Sequence, residues 1–212
     1  MKHITFYLDF ISPYAWLAFE ELPQALMGLS YSVTYKPLLF AALLKHHGQL
    51  GPAEIPAKRD WTYRQVQWLA HSKGRALDLP AEHPFNPLGL LRLAIATDAQ
   101  GQPNRYVCET IFKHVWVGGQ DAADATRLAA LTAQLAPKRS PSDESVKAQL
   151  KAHAEEAIAK GVFGVPALEV DGKVFWGQDS LPMLRAYLEG DAWFDGPAWN
   201  ASHTLPVGVA RQ

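Results

Sequence analysis

Cysteine is almost absent from this chain, because Cys108 is the single one among 212 residues. One cysteine forms no internal disulfide, and its isolation excludes a Cys-x-x-Cys redox motif and a cysteine-based zinc cluster. An excess of either charge is also missing, since 20 Lys and Arg stand against 21 Asp and Glu, a net charge of -1. That balance argues against a nucleic-acid-binding protein, which usually has a basic face, and against an acidic disordered chain.

Long apolar runs are missing as well. No stretch reaches the roughly 18 consecutive apolar residues that a membrane span needs. The first ten residues contain no apolar run and no small-residue cleavage site of the kind that marks a secretory signal. The eight histidines show no metal-ligand spacing. We therefore expect a cytoplasmic protein with no bound metal and with neither a membrane nor a nucleic acid as partner.

Strand signals stand at both ends of the chain and helical patterns stand between them. Near the start, Ile4, Phe6 and Leu8 alternate with polar or aromatic neighbours, and Asp171-Gly172 separates two apolar runs as a type I′ hairpin turn does. The patterns predict strands at 4–9, 31–37, 167–170 and 173–176 and helices at 14–26, 58–74, 88–99, 104–117, 122–135, 143–160 and 180–188.

The order of these elements is βαβ, then several helices, then ββα. It predicts an α/β fold in which the two ends complete one sheet, with the first two strands parallel. We divide the chain into a sheet domain (residues 1–40 and 161–190), an all-helical insertion (41–160) and an irregular tail (191–212) that packs on a partner subunit.

Three short segments contain residues that could bind a ligand or take part in a reaction. Ser12 lies where a strand feeds a helix, so it either caps that helix or helps to stabilise an anion there. The Val165-Pro166 bond is either an ordinary trans bond or a cis bond that turns the Val165 backbone toward a ligand. Asp179 and Ser180 either cap a later helix or bind the charged ends of an amino-acid-like group.

Together these segments resemble one family. The residues are Phe-Tyr-x-Asp-Phe-x-Ser-Pro-Tyr at 6–14, Gly-Gln-Leu-Gly-Pro at 48–52, Gly-Val-Pro at 164–166 and Trp-Gly-Gln-Asp at 176–179. They are similar to the 2-hydroxychromene-2-carboxylate isomerases and the related kappa-class glutathione transferases. The resemblance extends to about residue 190, and it implies a thioredoxin-like fold in its DsbA-like arrangement, in which the central helices are an insertion.

The resemblance implies glutathione as cofactor. Ser12 stands where thiol oxidoreductases have their attacking cysteine, and a serine there implies that the thiol comes from glutathione and is stabilised as a thiolate by the hydroxyl. Val165, beside Pro166, would pair through its backbone with the cysteinyl part of glutathione. The γ-glutamyl end would be held by Gln178, Asp179 and Ser180.

The family's substrates are small aromatic compounds that carry a carboxylate. Gln49 would lie near the thiol or the substrate, although relatives often have Asn at this position, and Asn86 lies in a segment that resembles the lining of the substrate pocket. Lys45 is our candidate for binding the carboxylate, with Lys58 and Arg92 as alternatives.

The implied activity is glutathione-dependent isomerisation of 2-hydroxychromene-2-carboxylate to trans-o-hydroxybenzylidenepyruvate, or of a related aromatic catabolite, by reversible thiolate addition. Two alternatives remain: a kappa-type glutathione transferase, which releases the adduct, and a non-catalytic thioredoxin-fold binding module. The family and the 7 Trp and 9 Phe of the chain also lead us to expect a homodimer.

Overall fold

A computed structural model describes residues 1–206 and residue 208 of the chain. The strands are β1 (Lys2–Leu8), β2 (Tyr31–Pro37), β3 (Ala167–Val170) and β4 (Lys173–Trp176). The longer helices are α1 (Pro13–Ala25), α2 (Phe40–His47), α3 (Pro56–Ser72), α4 (Leu88–Ala96), α5 (Arg105–Trp116), α6 (Ala125–Leu135), α7 (Glu144–Ala159) and α8 (Leu181–Glu189). Except for α2, each of these elements was predicted from the sequence, within a few residues at its ends.

The four strands form one sheet in the order β2-β1-β3-β4. The pairing of β1 with β2 is parallel, and β3 is antiparallel to both of its neighbours, β1 and β4. The hairpin between β3 and β4 turns at Asp171 and Gly172, which both have positive φ as a type I′ turn requires. The predicted α/β class and the βαβ…ββα order of a thioredoxin-like fold are confirmed.

The central strand β1 is covered on both faces, although its alternating sequence is typical of a half-exposed strand. Ile4, Phe6 and Leu8 belong to the large core on the side of α1, whereas Tyr7 packs with residues of α2 and α7 on the other side. Helices on both faces of the sheet leave the carboxyl end of β1, where Ser12 follows, as the place where side chains of several elements meet.

The segment after α8 differs from the irregular tail that we predicted. It forms three short helical turns, at Ala192–Asp195, Pro197–Asn200 (α9) and Ala201–Thr204. Phe194 is buried and its ring lies 5.9 Å from that of Phe175 in β4, so the segment packs on its own chain. The packing of this segment on a partner subunit stays a prediction. Residues 207 and 209–212 lie outside the described residues.

Helix α2 was missed because its eight residues are short of a full amphipathic pattern. It ends at Gly48, whose φ of 63° is the left-handed conformation that glycine adopts readily after a helix. No helix in residues 1–206 is both long and apolar enough to cross a bilayer. The division into a sheet domain and a helical insertion stays a prediction.

Candidate functional site

The site is built on the turn between β1 and α1. Two consecutive peptide groups of this turn are each held by contacts to both their carbonyl and their N–H. In the first group, the Phe10 carbonyl accepts from Trp116 Nε1 at 2.9 Å and the Ile11 N–H donates to Asp9 Oδ1 at 3.1 Å. In the second, the Ile11 carbonyl contacts His83 Nε2 at 2.8 Å and the Ser12 N–H donates to the Asp9 carbonyl at 3.1 Å. The position of Ser12 is therefore set by contacts from distant parts of the chain.

Asp9 is the buried centre of this turn. Its Oδ2 accepts from the Phe40 N–H at 2.9 Å, so the same carboxyl group that orders the turn also holds the start of α2. Burial raises the pKa of Asp9 to about 7, although the backbone N–H groups around it act in the opposite direction. The sequence motif includes Asp9, but nothing local indicates that this carboxyl joins two elements.

Ser12 is buried and is the N-cap of α1, as the capping alternative predicted. Its Oγ accepts from the Ala15 N–H at 3.2 Å and donates to the Val165 carbonyl at 3.4 Å. The second distance is long for a hydroxyl donor, whose ordinary bonds are about 2.7–2.8 Å. The hydroxyl proton is thus weakly engaged and can be redirected to an incoming anion at the helix N-terminus, where the helix dipole also favours negative charge.

The segment before β3 lies directly against Ser12. The Val165-Pro166 peptide bond is cis, which decides between the two alternatives left by the sequence. The Pro166 carbonyl accepts from the Gly177 N–H at 2.9 Å, so this loop is joined to the segment that begins α8. A Cβ added at Gly164 would lie 2.6 Å from Trp176 Nε1, which explains why glycine is needed where the indole ring approaches the loop.

The three predicted γ-glutamyl contacts lie one after another but in different environments. Gln178 is buried and its Nε2 donates to Glu21 Oε2 at 2.6 Å, so this amide ties the loop to α1. Asp179 is exposed. Ser180 Oγ donates to the Gly177 carbonyl at 2.8 Å, and neither Asp179 nor Ser180 caps α8 through its side chain, contrary to the capping alternative.

The predicted substrate residues lie on or beside the helices α2, α3 and α4. Lys45 in the last turn of α2 and Gln49 just after it are exposed. Asn86 is exposed, and its Oδ1 accepts from the Leu88 N–H at 3.1 Å at the start of α4. Lys58 is exposed on α3, and Arg92 is half-buried on α4. No hydrogen bond in the described part of the chain joins any of the five to Ser12.

Two residues near Ser12 were missed by sequence reasoning. His83, whose bond to Pro84 is cis, contacts the Ile11 carbonyl, and its Nδ1 lies 2.7 Å from the hydroxyl of Tyr63 on α3. Burial lowers the pKa of His83, so the ring is neutral near pH 7. His83 is 72 positions from Ile11, so no periodic pattern in the sequence predicts their contact. The only local signal is Pro84, which follows the histidine.

Other candidate features lie elsewhere or are inert. Cys108 is buried in α5, and burial raises the pKa of its thiol, as expected of a core cysteine. A cavity of about 630 Å³ lies along β2 and the start of α5, and its lining includes none of the predicted site residues. Among the described residues, no three His, Cys, Asp or Glu side chains are grouped so that they could hold a metal ion.

Comparison with known proteins shows the family of the chain. Residues 3–189 match the family described as the DsbA-like thioredoxin domain. The chain belongs to this family. Within the family fold, Ser12 and the cis Val165-Pro166 bond lie side by side at the end of β1.

Named relatives divide between two activities. The chain is 26% identical to a 2-hydroxychromene-2-carboxylate isomerase of Sphingobium xenophagum, over 88% of this chain and 98% of the relative. It is 27% identical to the glutathione S-transferase kappa 1 of Rattus norvegicus, over 92% of this chain and 93% of the relative. A solved 2-hydroxychromene-2-carboxylate isomerase has the same fold, with a TM-score of 0.76, 24% identity and coverage of 95% and 98% of the two chains.

Proposed function

We propose that the protein is a glutathione-dependent isomerase that acts on 2-hydroxychromene-2-carboxylate or a related aromatic catabolite. The observation that carries the proposal is the weakly engaged hydroxyl of Ser12, which lies at a helix N-terminus and 3.4 Å from the Val165 carbonyl. Relatives named as isomerases and as glutathione transferases, each similar over most of the chain, support the same site chemistry.

The residues around Ser12 fit a bound thiolate. The Ser12 proton rotates away from the Val165 carbonyl to donate to the sulfur, and the N-terminal end of α1 adds favourable electrostatics. Backbone groups of Val165 would pair with the cysteinyl part of glutathione, beside Pro166. Gln178, the exposed Asp179 and the hydroxyl of Ser180 would hold the γ-glutamyl end, and the bond of Gln178 to Glu21 ties this segment to α1.

When bound, glutathione supplies a thiolate that adds reversibly to a conjugated carbon of the substrate, so that a double bond becomes single, rotates and forms again when the thiolate leaves. The chain's own part is to hold the sulfur and to orient the substrate. Lys45 is proposed to bind the substrate carboxylate, Gln49 to lie near the reacting atoms and Asn86 to line the pocket.

A kappa-type glutathione transferase is the second candidate, because the rat relative is as similar to this chain as the isomerases are. The two activities differ in whether the adduct collapses or is released. Release is favoured when the electrophile carries a leaving group that is lost on thiolate attack, as in chlorodinitrobenzene.

A homodimer is also proposed, and its expected mass can be checked by light scattering at micromolar concentration.

Absorbance-monitored conversion of 2-hydroxychromene-2-carboxylate, with and without glutathione, tests the proposal. We expect rapid conversion only when glutathione is present. Conversion of chlorodinitrobenzene that exceeds any isomerisation would instead favour the transferase. Absence of both activities, together with no glutathione binding at millimolar concentration, would leave the non-catalytic binding module.

A further inference from the structure

A chain of hydrogen bonds runs from α3 to the peptide group that carries Ser12. Arg59 Nε donates to the Tyr63 hydroxyl at 3.2 Å, and that hydroxyl lies 2.7 Å from His83 Nδ1. On the other side of the ring, His83 Nε2 lies 2.8 Å from the Ile11 carbonyl. The chain therefore connects an exposed guanidinium with the peptide group between Ile11 and Ser12.

The protonation of the His83 ring follows from whether each neighbouring group can donate or accept a hydrogen bond. The Ile11 carbonyl can only accept, so His83 Nε2 must carry a hydrogen. In the neutral ring Nδ1 is then an acceptor, and the Tyr63 hydroxyl, which also lies 3.0 Å from the His83 carbonyl, donates to the nearer Nδ1 at 2.7 Å. The Tyr63 oxygen remains free to accept from Arg59, so every member of the chain donates in the same direction.

The surroundings keep the ring in this form. The His83 ring packs 5.4 Å from that of Trp116 and 5.5 Å from that of Tyr63, both measured between centroids. Burial and the positive charge of Arg59 both lower the pKa of His83, which opposes a second ring proton. Arg59 also donates to the His83 carbonyl at 3.1 Å, which fixes the backbone that carries the ring.

We infer that His83, held as the Nε2–H tautomer between the Ile11 carbonyl and the Tyr63 hydroxyl, is a positioning residue that keeps the Ile11–Ser12 peptide group in place for the Ser12 hydroxyl to reach the thiolate. The Ser12 N–H is already bonded to the Asp9 carbonyl, so His83 supplies the second point of attachment of the same peptide group. Without the His83 contact, the peptide group can tilt about its remaining hydrogen bond, which runs from the Ser12 N–H to the Asp9 carbonyl. The part that concerns the thiolate rests on the proposed function.

The tautomer itself is tested by nitrogen NMR of the His83 ring, with its signals assigned by their loss in His83→Gln. The expected result is a protonated Nε2 and an unprotonated Nδ1 near pH 7. In Tyr63→Phe the Nδ1 signal should shift because it loses its donor, while Nε2 stays protonated against the Ile11 carbonyl. A wild-type ring protonated on Nδ1, or an Nδ1 signal unchanged in Tyr63→Phe, would overturn the inference. Tyr106→Phe, which removes an exposed hydroxyl on α5, is the matched control.

The positioning role is tested by two amides of different length. In His83→Gln the side-chain nitrogen can take the place of Nε2 and donate to the Ile11 carbonyl, whereas in His83→Asn it falls short. We expect Asn to lower kcat roughly tenfold more than Gln, the effect of one lost hydrogen bond. The KM for glutathione should stay within about twofold. Equal losses in the two variants, or a rise in KM without a fall in kcat, would contradict the role.

A readout without substrate separates this inference from the proposed function. Hydrogen exchange of the Ser12 amide should be faster in His83→Asn than in His83→Gln. If the wild type shows no glutathione-dependent activity but the exchange and tautomer results are as expected, the proposed function fails and the positioning of Ser12 by His83 stands. If the wild type is active but exchange at Ser12 is the same in both variants, the positioning inference fails.

Discussion

The two halves of the candidate site are held by different kinds of contact. The half around Ser12 is buried, and its backbone groups are bonded to the neighbouring Asp9 and to His83 and Trp116 from distant parts of the chain. The half that would meet the substrate contains exposed side chains, including Lys45 and Gln49, with no bond to Ser12 in the described residues. Hydrogen bonds within the chain hold the first half, whereas Lys45 and Gln49 of the second half are exposed.

This difference suggests a division of roles within one site. A group that stabilises a developing charge contributes most when its position is fixed before the reaction. Side chains that select a substrate can be exposed and changed with little effect on folding. The comparison therefore predicts that substitutions in the Ser12 half change turnover or stability strongly, whereas substitutions in the exposed half change substrate affinity.

The largest effect is expected for Ser12→Ala. Removing the hydroxyl takes away a donor to the thiolate, and such a loss typically lowers turnover by a factor on the order of 100 or more. Glutathione binding should be largely kept, because the other contacts remain. The measurement is kcat and the KM for glutathione in the isomerisation assay. Ser72→Ala, which removes an exposed hydroxyl at the end of α3, should leave both unchanged; full turnover in Ser12→Ala would refute the assigned role.

Replacing Asp9 should lower stability more than replacing an exposed aspartate with a similar local bond. Asp9→Ala leaves the N–H groups of Ile11 and Phe40 without their acceptor, which costs about 2 kcal/mol or more of unfolding free energy. Asp121→Ala also removes one bond to a backbone N–H, but at an exposed site, so its cost should be about 0.5 kcal/mol. Urea unfolding of both variants measures the difference, and equal costs would contradict the buried anchoring role of Asp9.

The pH dependence of stability gives an effect of known sign. Because the pKa of Asp9 in the folded state is raised to about 7, the folded chain binds this proton more tightly than the unfolded chain does. Proton binding at Asp9 therefore contributes fully to the unfolding free energy below about pH 4, the ordinary pKa range of an aspartate. This contribution is lost as the pH rises through about 7. The unfolding free energy of the wild type minus that of Asp9→Asn should fall across this window. A difference that rises or stays constant would be contrary to the stated burial effect.

The smallest effect is expected in the exposed half. Lys45→Ala should raise the KM for the carboxylate substrate roughly fivefold, as the loss of one solvent-exposed ion pair does. The unfolding free energy should change by less than about 0.5 kcal/mol. Lys58→Ala is the matched control on α3 and should leave KM unchanged. If Lys58→Ala raises KM instead, the assignment of the carboxylate to Lys45 is wrong.

The fold was largely predictable because its signals are local. The Ser12-Pro13 start of α1, the Asp171-Gly172 hairpin and the amphipathic pattern of α5 each specify structure within a few residues. The short helical turns between residues 192 and 204 were not predicted, because the prolines and glycines there favour a loop and the ring of Phe194 packs on a distant strand. Sequence patterns show that apolar rings must be covered, but not which surface covers them.

The candidate site was predictable at Ser12 and less so around it. A hydroxyl at a helix start and a later Val-Pro are recognisable as motifs, and the structure brings Ser12 and Val165 within 3.4 Å. The contacts that position Ser12, from Trp116 and from Tyr63 through His83, link residues far apart in the chain and leave no spacing to detect. The ligand contact of Gln178 stays a prediction, and the bond of its amide to Glu21 in α1 is a further contact that the motif does not indicate.

The central claim is that Ser12 stabilises the thiolate of bound glutathione. Its most direct test is the thiolate absorbance of glutathione bound to the wild type and to Ser12→Ala, followed as a function of pH. The claim predicts that the thiol pKa is well below that of free glutathione in the wild type and moves back toward the free value in Ser12→Ala. The same bound pKa in both proteins would contradict it.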